Sequence, residues 1–266
     1  MSEFNGSKFE LKASETPDMM DMLKDFNMSE SGNLVRDLFT RKAVPPKEAD
    51  CDTRPQSPLA GKLDNSCGLS IEKIFENVKS STVKIFNSEF MPIGSGFYAC
   101  LPGEKTCGVI TNHHVARLAD NKTVFMQSPD QLYLGKIAAR DGSNDLAIIE
   151  PFYPKPDLKP VKFGPAPQKA DPVLSVCYPT TRLSFPVLTA GKVLAPDARV
   201  HVNDGSSFLS PPSIITDQSI IGGCSGGPDF NKSGEFIGVT RANGSEGAVV
   251  IKGDHVIELL EKYRDG

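Results

Sequence analysis

The 266 residues allow one large domain or two small ones, and 29 Lys and Arg stand against 33 Asp and Glu, a formal net charge of −4. That mild acidity excludes a general electrostatic affinity for nucleic acid or an anionic membrane surface, and no run approaches the roughly 20 apolar residues of a membrane span. With 23 glycines, 21 prolines and no tryptophan, the composition favours short strands joined by turns over a helical bundle.

Residues 1–70 differ in character from the rest of the chain. Five of the seven methionines fall within the first 28 residues, and 43–68 carry four prolines and mixed charge, the signature of a linker. Two short amphipathic turns are expected before it. Thr16 and Pro17 suit the start of the first, with Met19, Leu23 and Phe26 on one face. Asn33 suits the second, with Leu34, Leu38 and Phe39. Both are too short to stand alone, so the segment reads as a largely disordered arm. Its start has no apolar core of a signal peptide, which makes a soluble, cytoplasmic protein the default expectation.

Regular structure is expected from residue 71 to 266. The run "LSIEKIFENVKSS" predicts a short amphipathic helix before the strand "TVKIFNS". "GSGFYAC" and "CGVITNHHV" read as a hairpin around "LPGEKT". Antiparallel pairing across that loop would bring Cys100 opposite Cys107 at disulfide separation, two free thiols being the alternative. Further strands are expected at "TVFMQS", "YLGKIAA", "LAIIEP", "PVLSVCYP", "LTAGKVLA", "SIITDQ", "GEFIGVTR" and "GAVVIK". A last helix is expected with Asp254 as its cap and Val256, Leu259 and Leu260 buried. Many short strands at this spacing suit barrels or a sandwich.

The chemistry gathers around three short stretches. "GGCSGGPDF" (222–230) sets Cys224 beside Ser225 among glycines; Ser225 needs a neighbouring base to take its proton, while Cys224 is intrinsically the stronger nucleophile. Of four histidines, His201 and His255 carry no partner signal and read as surface residues, whereas His113 and His114 follow an apolar strand. In "DGSNDLAIIE", Asp141 suits the turn, and Asp145, directly before a buried strand, suits a carboxylate that orients an imidazole.

"GSGFYA", "TNHHVA", "DGSNDLA", "TDQSIIGGCSGGP" and "GEFIGV" together resemble, in order and approximate spacing, the trypsin-like serine proteases, and most closely their HtrA (Deg) branch, over residues 70–262. The resemblance implies an all-β fold of two antiparallel six-stranded chymotrypsin-type barrels with a C-terminal helix. It places the base on His114, the orienting acid on Asp145 and the nucleophile on Ser225. Cysteine proteases of this fold put their nucleophile immediately before Gly-Gly, a place that here belongs to Ser225, so Cys224 is expected to point away as a small packed residue. The backbone N–H groups of Gly223 and Ser225 would form the oxyanion hole. Ser219 would lie at the base of the primary substrate pocket, with Thr240, Arg241 and Ala242 along its wall.

The expected function is therefore a serine endopeptidase acting on proteins or peptides, with no cofactor and no metal. The competing reading is an inactive trypsin-like fold used as a binding or scaffold module. The sequence departs from the family in two ways. No new N-terminus of the Ile-Val type is available, and Cys224 stands where its carboxylate partner would be. No PDZ domain follows within these residues, so peptide-gated control through one is not expected. The oligomeric state is not legible.

Overall fold

A computed structural model describes residues 70–119, 123–129, 131–153, 157–180, 185–202 and 210–266. The expected arm and linker, with both amphipathic turns, lie outside the described residues apart from Ser70. That residue caps helix α1 (Ile71–Val78) by accepting the Lys73 N–H on its hydroxyl. The helix buries Ile74 and Val78, and a turn of 3-10 helix, Lys79–Ser81, delivers the chain into the first strand.

The first barrel holds β1 (Thr82–Phe86), β2 (Pro92–Cys100), β3 (Cys107–Asn112), β4 (Thr123–Gln127), β5 (Leu132–Asp141) and β6 (Leu146–Tyr153). Its strands run in the order β1-β2-β3-β6-β5-β4, and β4 pairs back with β1. The second barrel holds β7 (Pro172–Cys177), β8 (Val187–Ala198), β9 (Ser213–Thr216), β10 (Pro228–Phe230), β11 (Phe236–Asn243) and β12 (Ala248–Lys252). It closes in the order β10-β11-β12-β9-β8-β7. Full closure leaves neither sheet a free edge. The two six-stranded antiparallel barrels are the architecture the family resemblance implies.

Each barrel has its own apolar filling, and a third cluster lies between them. Val83, Ile85, Val109, Val124, Met126 and Ile149 fill the first, and Val173, Val193, Ile214, Ile237 and Val250 the second. Phe97, Ile110 and Ile148 meet Leu174, Phe230 and Phe236 across the interface, with the Phe97 and Phe236 rings 4.7 Å apart. This dry contact sets the barrels against each other, so that the loops at their shared rim are held in register.

Helix α3 (Gly253–Asp265) buries Val256, Leu259 and Leu260, as the sequence predicts. Its cap position falls on Lys252, however, and Asp254 sits in the first turn, where its charge suits the positive end of the helix. The strand β10 was not expected from the sequence. Cys100 and Cys107 are directly paired in the β2–β3 register and joined by a disulfide. A second disulfide, Cys177–Cys224, ties β7 to the glycine-rich turn.

Candidate active site

The β-rich run "CGVITNHHV" turns at Asn112 into the five-residue helix α2 (His113–Arg117). That turn is fixed from the other side of β3. The Asp145 carbonyl accepts the His113 N–H (3.0 Å) and the Asn112 side-chain amide (3.1 Å). Asp141 organises the turn that delivers Asp145. Its carboxylate accepts the Ser143 and Asn144 N–H groups and the Asn144 amide. Burial works to raise the Asp141 carboxyl, but those bonds and the charge of Lys262 outweigh it and hold the group below its ordinary value. Asp145 has φ +55°, in the left-handed region that few non-glycine residues occupy and that Asp enters more readily than most.

From that backbone the Asp145 carboxylate grips His114 twice. Oδ1 accepts the His114 N–H at 2.9 Å, and Oδ2 lies 2.8 Å from Nδ1. The carboxylate is 9% exposed and the imidazole 36%. A nearly dry acceptor thus fixes the ring through Nδ1 and leaves Nε2 as the nitrogen available on the open side. His113 plays no such part: its Nδ1 is buried without a hydrogen-bond partner among the described residues, and burial holds its imidazole below the ordinary value against the pull of the Asp145 charge.

Ser225 stands in a turn tied at every side. The Cys224 N–H donates to the Ile221 carbonyl (3.1 Å) and the Gly227 N–H to that of Cys224 (2.9 Å). The Ser225 carbonyl accepts the Ser95 N–H at 2.9 Å, and the Gly226 N–H reaches the Thr240 carbonyl at 2.8 Å. The Ser95 hydroxyl joins the barrels again. It donates to the Gly223 carbonyl (2.7 Å) and accepts the Tyr178 N–H (2.8 Å). Cys224 is wholly buried, packed as expected but bridged to Cys177 rather than free.

The Gly222 carbonyl accepts the Thr180 N–H at 2.9 Å. Because a peptide's C=O and N–H point in opposite directions, the Gly223 N–H is turned away from Thr180. Neither it nor the Ser225 N–H donates to a backbone carbonyl among the described residues. Gly223 has φ +99°, and a Cβ there would overlap the Thr180 nitrogen and the Tyr178 carbonyl. Only glycine fits this turn.

The Ser225 hydroxyl donates to the Arg241 carbonyl at 2.8 Å and makes no hydrogen bond with His114. The Arg241 side chain, 11% exposed, puts Nε 3.0 Å from Asp145 Oδ2, a charge contact rather than a directed N–H bond. Of the expected pocket residues, Ser219 is exposed and Ala242 half-buried, while the side chains of Thr240 and Arg241 turn inward. A break in the β11–β12 register between Thr240 and Ala242 takes Arg241 off the simple alternation of faces.

Thr240 leads to a group that the sequence reading missed. Asp229, in β10, is wholly buried and accepts the Thr240 hydroxyl at 2.6 Å. Ser175 Oγ lies 2.9 Å from Thr240 Oγ1. With the Gln218 amide oriented to satisfy both its ends, its NH2 lies 3.1 Å from Asp229 and its oxygen accepts the Ser175 N–H. The one signal was a charged residue, "GGPDF", inside an otherwise apolar stretch. Burial pushes the Asp229 carboxyl up from 3.8 to about 7, against the hydrogen bonds of Thr240, Gln218 and Ser175.

A folded-state value above the unfolded one means the native protein holds a proton that the unfolded chain has released. The stability from Asp229 is therefore complete below pH 3.8 and is lost as the pH rises through about 7. The difference in unfolding free energy between wild type and Asp229→Asn is expected to fall on the order of 1 kcal/mol per pH unit across that window. Urea unfolding of both proteins at a series of pH values measures it. A pH-independent difference would show that the carboxyl titrates normally.

Comparison with known proteins identifies the family of this fold. The family profile of the trypsin-like peptidase domain matches residues 94–239. The serine protease Do-like HtrB of Bacillus subtilis (strain 168) is 28% identical over 143 residues, covering 53% of this chain and 31% of that protein. A periplasmic DegP-like serine endoprotease of Rickettsia prowazekii (strain Madrid E) is 29% identical over 177 residues, 65% of this chain and 31% of its own length. The matches therefore span about a third of these relatives. An inactive form of Rv3671c from M. tuberculosis H37Rv shares the fold, with a TM-score of 0.57 at 22% identity over 72% of this chain and 90% of that one. The cytoplasmic default drawn from the sequence is corrected here. The periplasmic DegP-like relatives point to an extracytoplasmic location, and the two disulfides suit an oxidising compartment. With two closed barrels and a profile match over more than half its length, the chain belongs to the trypsin-like peptidase domain family, and it is similar to serine proteases of the HtrA and DegP kind.

Proposed function

We propose that the protein is a serine endopeptidase that hydrolyses peptide bonds through His114, Asp145 and Ser225 and an acyl-enzyme intermediate. The observation that carries this is the double grip of Asp145 on His114, which fixes the imidazole with Nε2 free for a hydroxyl proton. The mechanism requires the Ser225 hydroxyl, which now rests on the Arg241 carbonyl, to turn to another staggered well and meet that nitrogen. His114 then accepts the proton as Oγ attacks the carbonyl carbon, and returns it to the leaving amine as the C–N bond breaks. Water, deprotonated the same way, releases the acid and restores Ser225. The Gly223 and Ser225 N–H groups stabilise the oxyanion, one such donor being worth roughly 3–4 kcal/mol.

The inactive-scaffold reading draws on one observation, the Ser225 hydroxyl resting on Arg241 rather than on His114. An alkyl fluorophosphonate separates the two. The expected result is stoichiometric labelling of Ser225, together with cleavage of casein. No labelling and no cleavage by folded protein would leave the scaffold. In the same digest, small or medium apolar residues are expected before the cut. Ser219 offers no carboxylate for Lys or Arg, and Ala242 leaves room beside it. A profile dominated by Lys and Arg would overturn that preference.

A further inference from the structure

Arg241 lies in β11, on the opposite barrel from Asp145, yet it touches both ends of the proposed catalytic set. Its carbonyl accepts the Ser225 hydroxyl at 2.8 Å, and its guanidinium Nε lies 3.0 Å from Asp145 Oδ2. That oxygen is the one that faces His114 Nδ1. Both charged side chains are nearly dry, 11% and 9% exposed. An arginine so covered cannot meet a substrate side chain as a pocket wall would. A charge this far out of water also stays only where it is paired.

We infer that Arg241 is a positioning residue for the hydrolytic reaction, acting through Asp145; the inference rests on the triad proposed above. The carboxylate reaches His114 from a residue in the left-handed region, at the end of a turn whose hydrogen bonds all come from the first barrel. Among the described residues, Oδ2 has no hydrogen-bond or ion-pair partner besides the imidazole and Arg241. Arg241 supplies the contact from the second barrel. It also spans the cleft between the barrels, so that the strand holding the Ser225 hydroxyl and the carboxylate orienting His114 move as one unit. The guanidinium charge offsets part of the carboxylate's field at His114. Positioning is inferred to be the larger effect, because an orienting carboxylate in this chemistry acts chiefly by holding the right tautomer and orientation of the imidazole.

The test is the second-order rate of labelling by a small alkyl fluorophosphonate, which needs no knowledge of the natural substrate and presents no side chain to the pocket. Arg241→Ala is expected to label on the order of tenfold more slowly or worse, the size of coupling seen between contacting residues. Arg241→Lys is expected to recover part of the rate, and added guanidinium ion at concentrations far below denaturing ones to restore part of it to Arg241→Ala. In an Asp145→Asn background the Arg241→Ala change is expected to cost little more, because the partner through which it acts is gone. A merely structural role would leave the two changes additive and guanidinium without effect. Unchanged labelling by folded Arg241→Ala, faster labelling, or additivity with Asp145→Asn would each overturn the inference. If Arg241→Ala does not fold, Arg241→Lys and its cycle with Asp145→Asn carry the same comparison. Failure of wild-type protein to label would strike the triad itself, and is thereby distinguished from failure of Arg241 alone.

Discussion

Replacing Ser225 by alanine is expected to lower kcat by about five to six orders of magnitude and leave the fold in place. The two halves of that expectation have separate grounds. The hydroxyl makes one hydrogen bond, to the Arg241 carbonyl, and losing it costs about 1 kcal/mol. The turn itself is held by backbone bonds that the change does not touch, from Ser95 to Ser225 and between Gly226 and Thr240. Thermal unfolding should therefore shift by only a few degrees. Chemistry has no such reserve. Cys224, the only other nucleophile in the turn, is buried in its bridge to Cys177. What survives is the contribution of the oxyanion donors and substrate binding, roughly 10³–10⁴ over water. Casein cleavage and fluorophosphonate labelling, measured beside circular dichroism of the same preparation, decide the matter. Undiminished cleavage by the variant would reject Ser225 as nucleophile, and loss with Cys224→Ala alone would revive the cysteine.

The sequence made the strands and the rim residues legible for a simple reason. Alternating β-branched runs ended in glycines, and the chemistry-bearing side chains stood at the strand ends, where "TNHH", "NDLA" and "CSGG" fall. What it concealed depended on pairing. β10 is three residues long, begins with Pro228 and carries Asp229, features that argue against a strand until two neighbours pair with it. Cys177 and Cys224 are 47 residues apart, and only closure of the second barrel sets them side by side. Position along the strand reads Arg241 as a pocket wall; its side chain, beside the register break in β11, also lies 3.0 Å from Asp145, and no period counted along one strand predicts a break imposed by its partner. Likewise "CGVITNHHV" reads as a β-rich run with the histidines after its strand, and the bonds from Asn112 and His113 to the Asp145 carbonyl accompany a turn into helix that no local pattern signals.

Gly223→Ala is expected to cost about 10²–10³ in kcat, the scale of losing one oxyanion donor, and roughly 1–3 kcal/mol of stability besides. The glycine holds φ +99°, a conformation an alanine adopts only under strain. Space is refused as well, since the new methyl would overlap the Thr180 nitrogen, the Tyr178 carbonyl and the carbonyl carbon of Pro179. None of those atoms can step aside cheaply, because all three are backbone, anchored where the Tyr178 N–H meets the Ser95 hydroxyl and the Thr180 N–H meets the Gly222 carbonyl. The Gly222–Gly223 peptide must therefore rotate, and its N–H leaves the direction in which it now points. The neighbouring disulfide holds Cys224 in place while this happens, so the disturbance stays in the donor and spares the nucleophile. That separation gives the measurement. KM for a peptide substrate is expected to change little while kcat falls. Fluorophosphonate labelling, whose phosphoryl oxygen uses the same donors, should slow in parallel. A stability loss without any fall in kcat would mean that the Gly223 N–H does not serve the oxyanion, and would leave Ser225 as its only backbone donor.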